Sequence, residues 1–193
     1  MDLVMGVDTG MHSMGVAIVD ETKRVLQVEA INTPNKFTGK DAILYQINMF
    51  RSFLNRIDSP YPWGIDKTVI EFPVIKYLKG GKKVNPESIK KLAAVAGGVY
   101  GVCSEKARYD ERFSCLVQPF GGGDFVEPTE WKGTVPKLQH HRRICASLGW
   151  SWREEGKILI PGLPMDVIGR EQLNKKNAPD IMDAIGLALW GLE

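Results

Sequence analysis

Four carboxylates carry the chemistry this sequence could do. Asp8 ends a short apolar run in "VMGVDTG" (4–10), Glu71 ends another in "TVIEF" (68–72), and Asp180 and Asp183 stand three apart in "NAPDIMDAIGLALWGL" (177–192). Taken singly, each has an ordinary reading. Asp8 reads as a turn residue, Glu71 as a strand-end surface charge, and Asp180 as a helix-start acid favoured by the helix dipole. Asp183 is harder to place that way, because it falls past the first turn beside Met182, Ala184 and Ile185. Spacing i, i+3 puts Asp180 and Asp183 on one helix face, about 5–6 Å apart. If the strands ending in Asp8 and Glu71 are neighbours, and the helix crosses their ends, all four acids converge. Two like charges about 5 Å apart repel by roughly 3 kcal/mol at an effective dielectric near 20. A helix terminus returns about 1 kcal/mol. An empty cluster therefore holds protons as a coupled set. Two divalent cations remove the conflict, and all-oxygen ligation suits Mg²⁺, with Mn²⁺ as substitute, rather than zinc.

The elements that must position these acids follow from periodicity. Residues 3–8, 13–20 and 24–32 read as three strands with short links, an antiparallel meander. Over 36–57 the period changes: Ile43, Ile47, Phe50, Leu54 and Ile57 sit at helical spacing, with Leu44 and Phe53 widening the stripe. "SPYPWG" (59–64) ends that helix, because proline cannot continue it. "KTVIEF" (67–72) is a short strand, and Asn85-Pro86 opens a second helix running to about Arg108. "SCLVQPF" (114–120) reads as a fifth strand and 133–149 as a third helix. Residues 150–177 read as an irregular loop with a small hairpin around "KILIPG", and 177–192 as a final helix. The order βββαβαβαα is that of the ribonuclease H-like fold: an α/β, mixed five-stranded sheet flanked by helices, in one domain over 1–193.

Composition narrows the class. A chain of 193 residues with 44% hydrophobic and 25% charged residues is an ordinary soluble mixture. Its longest apolar stretch, "LAAVAGGVYGVC" (92–103), is too short to span a bilayer, so no membrane partner is expected. No basic-then-apolar leader is visible at the N-terminus. Cys103, Cys115 and Cys145 are an odd, widely spaced set, which reads as free thiols in a reducing, cytoplasmic compartment. Against a net charge of +2, residues 76–91 carry +5 and residues 132–143 carry +4, leaving −7 for the remainder. Each basic segment alone reads as a solvated face. Together, beside the acids, they suggest a polyanion site.

"MGVDTGMHSMGVAIVD", "VIEFP" and "PDIMDAIGLALW" resemble the RuvC-like Holliday junction resolvases. Those enzymes have a strand-one Asp, a Glu ending strand four, and an Asp-x-x-Asp-Ala pair opening the last helix. The resemblance in element order spans nearly the whole chain, and the specific motifs cover about forty residues. It implies a crossover junction endodeoxyribonuclease of DNA recombination and repair. Such an enzyme cuts four-way DNA by paired nicks, with two Mg²⁺ held by Asp8, Glu71, Asp180 and Asp183. "EWKGTVPKLQHHRRI" (130–144) resembles the family's lysine-bearing segment, which places Lys132 and Lys137 near the scissile phosphate; as residues alone, both read equally as exposed surface lysines.

The two-fold symmetry of a four-way junction implies a homodimer, for which the second helix offers Leu92, Ala96, Val99 and Cys103 with Gly97, Gly98 and Gly101; a buried core helix is the competing reading. Lys76, Lys79, Lys82, Lys83, Arg142 and Arg143 are expected to hold DNA phosphates, and Phe72 or Tyr77 to stack at the crossover. His12, in the loop after strand one, reads as incidental. The Lys-Gly-Gly-Lys-Lys insertion and the long 150–177 segment depart from the bacterial pattern and point to a divergent, phage-type member. Two other classes share features of the chain. "DTGMHSMGVAIVD" also resembles the first phosphate loop of actin-like sugar kinases, which need two lobes, and a non-catalytic binder of branched DNA would keep the basic segments.

Overall fold

A computed structural model of the chain describes residues 2–57, 64–73, 85–109 and 123–193. Strands β1 (Leu3–Thr9), β2 (Ser13–Asp20), β3 (Val25–Asn32), β4 (Lys67–Glu71) and β5 (Gly123–Val126) form one sheet in the order β3-β2-β1-β4-β5. The meander β1-β2-β3 is antiparallel, and β4 and β5 add in parallel on the other side of β1. The expected mixed five-stranded sheet is present. The strand expected over 114–120 lies outside the described residues, and the fifth strand described is β5, which begins at Gly123.

Alternation along the strands sorts the two faces. Met5, Val7, Met14, Val16 and Ile18 point to one side, where α1 (Gly39–Ile57) and α2 (Pro86–Tyr109) cover them. Val4, Ala17, Val19 and Val69 point to the other, against α5 (Ala178–Gly191), with α4 (Lys137–Ser147) beyond it. Asp8 shares a face with Val4, and Glu71 shares one with Val69. Strand periodicity therefore aims both acids toward α5.

Glycine seats that helix. A Cβ on Gly6 would stand 2.1 Å from the carbonyl oxygen of Ala184, and one on Gly15 would stand 2.1 Å from that of Asp180. Only a strand without side chains at these two points lets the α5 backbone lie directly on it.

Several expectations change. Leu44 does not widen the α1 stripe; it is 47% exposed, while Phe50, Phe53, Leu54 and Ile57 are buried. In α2, Asn85 caps as expected, its Oδ1 accepting from the Glu87 amide at 3.0 Å. Ala96, Val99 and Cys103 lie in the chain's own core, because α2 shares the sheet face with α1, and they are not free to form a dimer contact. A Cβ on Gly98 would meet Ile47 at 2.2 Å, whereas Gly97 and Gly101 face open space.

The expected helix over 133–149 resolves into α4, preceded by the single turn α3 (Pro128–Trp131). Residues 150–177 hold the expected hairpin around "KILIPG" and are otherwise less irregular than the reading. The hairpin is antiparallel, β6 (Trp152–Glu155) against β7 (Ile158–Pro161), whose Leu159 is fully buried. A strap follows on the edge of β3, where the Val28 amide donates to the Ile168 carbonyl at 2.9 Å and the Ile168 amide to that of Leu26 at 3.0 Å. Among the described residues, no helix is long and apolar enough to cross a membrane.

Candidate active site

The carboxyl-terminal ends of β1 and β4 and the first two turns of α5 meet at one place. The Thr9 hydroxyl donates to the Glu71 carbonyl at 3.0 Å and ties the two strand ends together. Asp180 lies in the first turn of α5, where its carboxylate accepts from the Ser13 hydroxyl on β2. Asp183, one turn on, is buried beneath it.

Cations bridge these acids. Lys132 Nζ lies 3.1 Å from Glu71 Oε2 and 3.7 Å from Asp183 Oδ2, so one ammonium joins the β4 acid to the α5 acid. Lys137 Nζ is 2.6 Å from Asp183 Oδ2. Trp131 Nε1 donates to Glu71 Oε2 at 2.9 Å, and its ring lies under Lys132, whose Nζ is 4.6 Å from the ring centroid. The other oxygen of Asp183 faces His141, with Nε2 to Oδ1 at 2.7 Å.

The electrostatics divide the acids. Burial, then the negative charges of Asp183 and Glu71, push the Asp8 carboxyl well above the usual range; Asp180 adds to this and Lys137 opposes it. Burial also pushes Asp183 up, but the His141 hydrogen bond and the charges of Lys137 and Lys132 outweigh it and hold Asp183 at about 2. Burial works against the charge of Lys137, yet Asp183, Asp8 and Asp180 hold its ammonium above the ordinary value. Asp183 thus stays ionised, while the cluster is short of positive charge at Asp8. His140, beside His141, plays another part. Its ring packs edge-on against Trp131, with centroids 4.8 Å apart, and burial lowers it to about 4, so it supports the tryptophan as a neutral group.

The all-oxygen donor set and the charge deficit fit a hard divalent cation. No ready cage exists, however. Among the described residues, no three His, Cys, Asp or Glu side chains stand together closely enough to grip an ion. The lysine ammonium groups lie on the oxygens that would do so.

The structure therefore gathers Asp8, Glu71, Asp180, Asp183, Lys132 and Lys137, all singled out in the sequence. Two neighbours were not foreseen. Trp131 and His141 stand in the 130–144 stretch with no role assigned to them in the sequence, although His141 and Cys145 at i, i+4 spacing trace one inward face of α4.

The residues expected to touch DNA are scattered. Lys76, Tyr77, Lys79, Lys82 and Lys83 lie outside the described residues, as does Cys115. Arg142 is engaged by Glu154 through two hydrogen bonds of 2.7 and 2.9 Å, while Arg143 is exposed. Phe72 is half-buried against Phe125, with ring centroids 5.0 Å apart; Phe125 in turn stacks on Tyr100 at 5.2 Å. Phe125 and Tyr100 are 44% and 40% exposed, so among the described residues the accessible aromatic surface beside the Glu71 strand end is theirs. A cavity of about 580 Å³ between the β6–β7 hairpin and the strap, walled by Trp152, Ile160 and Arg170, includes none of the four acids. Among the described residues, the four acids and the two lysines that meet them lie together at the strand ends and not in that cavity.

No protein-family model matches the chain, and no curated protein matches it in sequence. Its fold is that of RuvC. The structure of T. thermophilus RuvC in complex with a Holliday junction substrate aligns with a TM-score of 0.59 at 15% identity, covering 98% of this chain and 92% of that one. A second Thermus thermophilus RuvC structure gives 0.55 at 15% identity, over 97% and 92%. The yeast mitochondrial Holliday junction resolvase Ydc2 gives 0.54 at 13% identity, over 98% and 77%.

Proposed function

We propose that the chain is a metal-dependent endonuclease of branched DNA, which resolves four-way junctions by paired symmetric nicks. The observation that carries this reading is the gathering of Asp8, Glu71, Asp180 and Asp183, with Lys132 and Lys137, at the strand ends of a RuvC fold. Asp8, Glu71, Asp180 and Asp183 would hold two Mg²⁺ ions, for which Mn²⁺ would substitute, and ions so held would supply a water of lowered pKa and positive charge near the leaving oxygen.

The chain's own groups do the rest. Lys132 and Lys137, freed from the carboxylates, offset charge developing on the scissile phosphate. Trp131 holds Glu71 in place through its indole N–H. Arg143 contacts backbone phosphate, which positions the DNA without reading its sequence. Phe125 and Tyr100, backed by Phe72, offer the stacking surface for an unpaired base at the crossover. Two copies of the chain make the two cuts that a symmetric junction requires.

A labelled four-way junction incubated with the protein and Mg²⁺ tests this. Symmetric nicks in opposite strands are the expected product. Asp183→Asn should lose nicking and keep the gel shift. Nicking at the full wild-type rate by that variant refutes the assignment of the acids. Binding with no cut under any divalent cation refutes the enzyme, and ATP turnover in its place points to the kinase-like class.

A further inference from the structure

We infer that His141 is a positioning residue: it fixes Oδ1 of Asp183, so that this carboxylate offers a single oxygen, Oδ2, to a divalent cation. The inference rests on the metal-dependent reading above and adds a group to it.

The argument starts with the two faces of one carboxylate. Asp183 Oδ1 meets His141 Nε2 at 2.7 Å, and Oδ2 meets Lys137 Nζ at 2.6 Å. Both partners come from α4. They are four residues apart, so a single helix face aims both at the acid. Their freedom differs. The His141 side chain is 3% exposed, and its helix neighbours Ile144 and Cys145 are buried with it. The Lys137 side chain is 48% exposed and ends in a flexible stem. A lysine at the surface can withdraw and leave its oxygen to another cation, whereas a buried imidazole cannot. The seat of α4 on α5 tightens this further: Trp131 and Ile144 lie where a Cβ on Gly186 would fall, at 2.6 and 2.9 Å, so the two helices are in close contact one turn past Asp183. An ionised carboxylate only accepts hydrogen bonds, and so Nε2 of His141 carries the proton. Oδ1 is thereby committed, and the rotamer of Asp183 is set before any ion arrives. A group that orients a ligating carboxylate in this way commonly changes metal affinity 10–100-fold when removed.

Mn²⁺ binding to the full chain without DNA, followed by calorimetry and by the electron paramagnetic resonance of free Mn²⁺, tests this apart from catalysis. His141→Leu should raise the Mn²⁺ dissociation constant about 10–100-fold. His141→Gln, whose amide nitrogen stands where Nε2 stood, should restore most of the loss. A folded His141→Leu protein that binds Mn²⁺ as the wild type does overturns the role of His141 and leaves the nuclease reading intact. A wild-type protein that binds no Mn²⁺, like Asp183→Asn, removes the metal reading itself. Should His141→Leu fail to fold, the histidine ¹⁵N spectrum of the wild type decides. It should show His141 as the Nε2–H tautomer both before and after Mg²⁺ is added. The Nδ1–H tautomer overturns the inference, because a bare Nε2 has nothing to donate to the carboxylate.

Discussion

Gly15→Ala tests the link between fold and site in one atom. Gly15 lies in a regular stretch of β2 opposite Asp8, and its backbone angle suits alanine. The obstacle is space alone. The new Cβ would stand 2.1 Å from the carbonyl oxygen of Asp180, 2.4 Å from its carbonyl carbon and 3.0 Å from the Ile181 nitrogen. All three atoms are helix backbone, which no rotamer change can move aside. Ordinary contact begins near 3.4 Å, so the first turn of α5 must retreat by about 1.3 Å. Overpacking of this kind costs about 1–3 kcal/mol, and an unyielding backbone puts the value near the upper end. At about 2–4 °C per kcal/mol for a chain of this size, the melting temperature should fall by roughly 6–12 °C. The retreating turn carries Asp180 and leads into Asp183, and a misplacement of about 1 Å can cost roughly a hundredfold in rate. Gly97→Ala is the internal control. Nothing lies within 4 Å of its Cβ on the open face of α2, so it should gain about 0.5–1 kcal/mol from helix propensity and nick normally. Thermal melts and single-turnover junction nicking measure both. If Gly15→Ala melts with the wild type and cuts at the same rate, α5 is not seated by that glycine, and the account of how the acids assemble is wrong.

Asp8→Asn should raise the melting temperature at pH 7–8 in EDTA while abolishing nicking. The raised Asp8 group favours the fold fully below its ordinary value of 3.8, and that contribution is lost as pH rises through the elevated folded value. Asp183 acts in the opposite sense: with a folded value of about 2, it contributes above 3.8 and is lost as pH falls toward 2. Saturating Mg²⁺ should flatten the upper limb in the wild type as the Asn variant does; a lower melting temperature for Asp8→Asn in EDTA contradicts the charge deficit. In junction binding, Arg143→Ala should reduce the slope of log affinity against log salt by about 1. Arg142→Ala should change it less, since that guanidinium is already engaged by Glu154. Burial pushes the Cys103 thiol up to about 12 and that of Cys145 to about 11. Neither should be labelled by iodoacetamide at pH 8 in the native protein, as peptide mapping would show.

Asp8, Glu71 and Asp180 were legible because each sits at a punctuation mark of its element, where an apolar run stops or a helix begins, and Asp183 because an acid inside an apolar helix stretch stands out. Their convergence hung on β1 and β4 being neighbours, which the parallel pairing of the two strands supplies. Their neighbours were less visible. His141 touches Asp183 across 42 residues of sequence, and nothing in "QHHRR" distinguishes a histidine facing a buried carboxylate from one facing water. Phe125 was missed because β5 is a short edge strand with two of its four residues exposed, too brief for alternation to show. The 150–177 segment misled for a related reason: its strap joins β3 through a single bridge, Gln27 to Ile168, and one bridge leaves no periodic trace.

The seat of α5 on Gly6 and Gly15 also sets a clock. The strand that bears Asp8 is synthesised long before the helix that bears Asp180 and Asp183, with the rest of the sheet in between. Contacts between such distant segments form late and slowly. Throughout translation up to that point, the nascent polypeptide displays two acids and lacks the other two. The set of four acids is thereby incomplete until synthesis has passed residue 183.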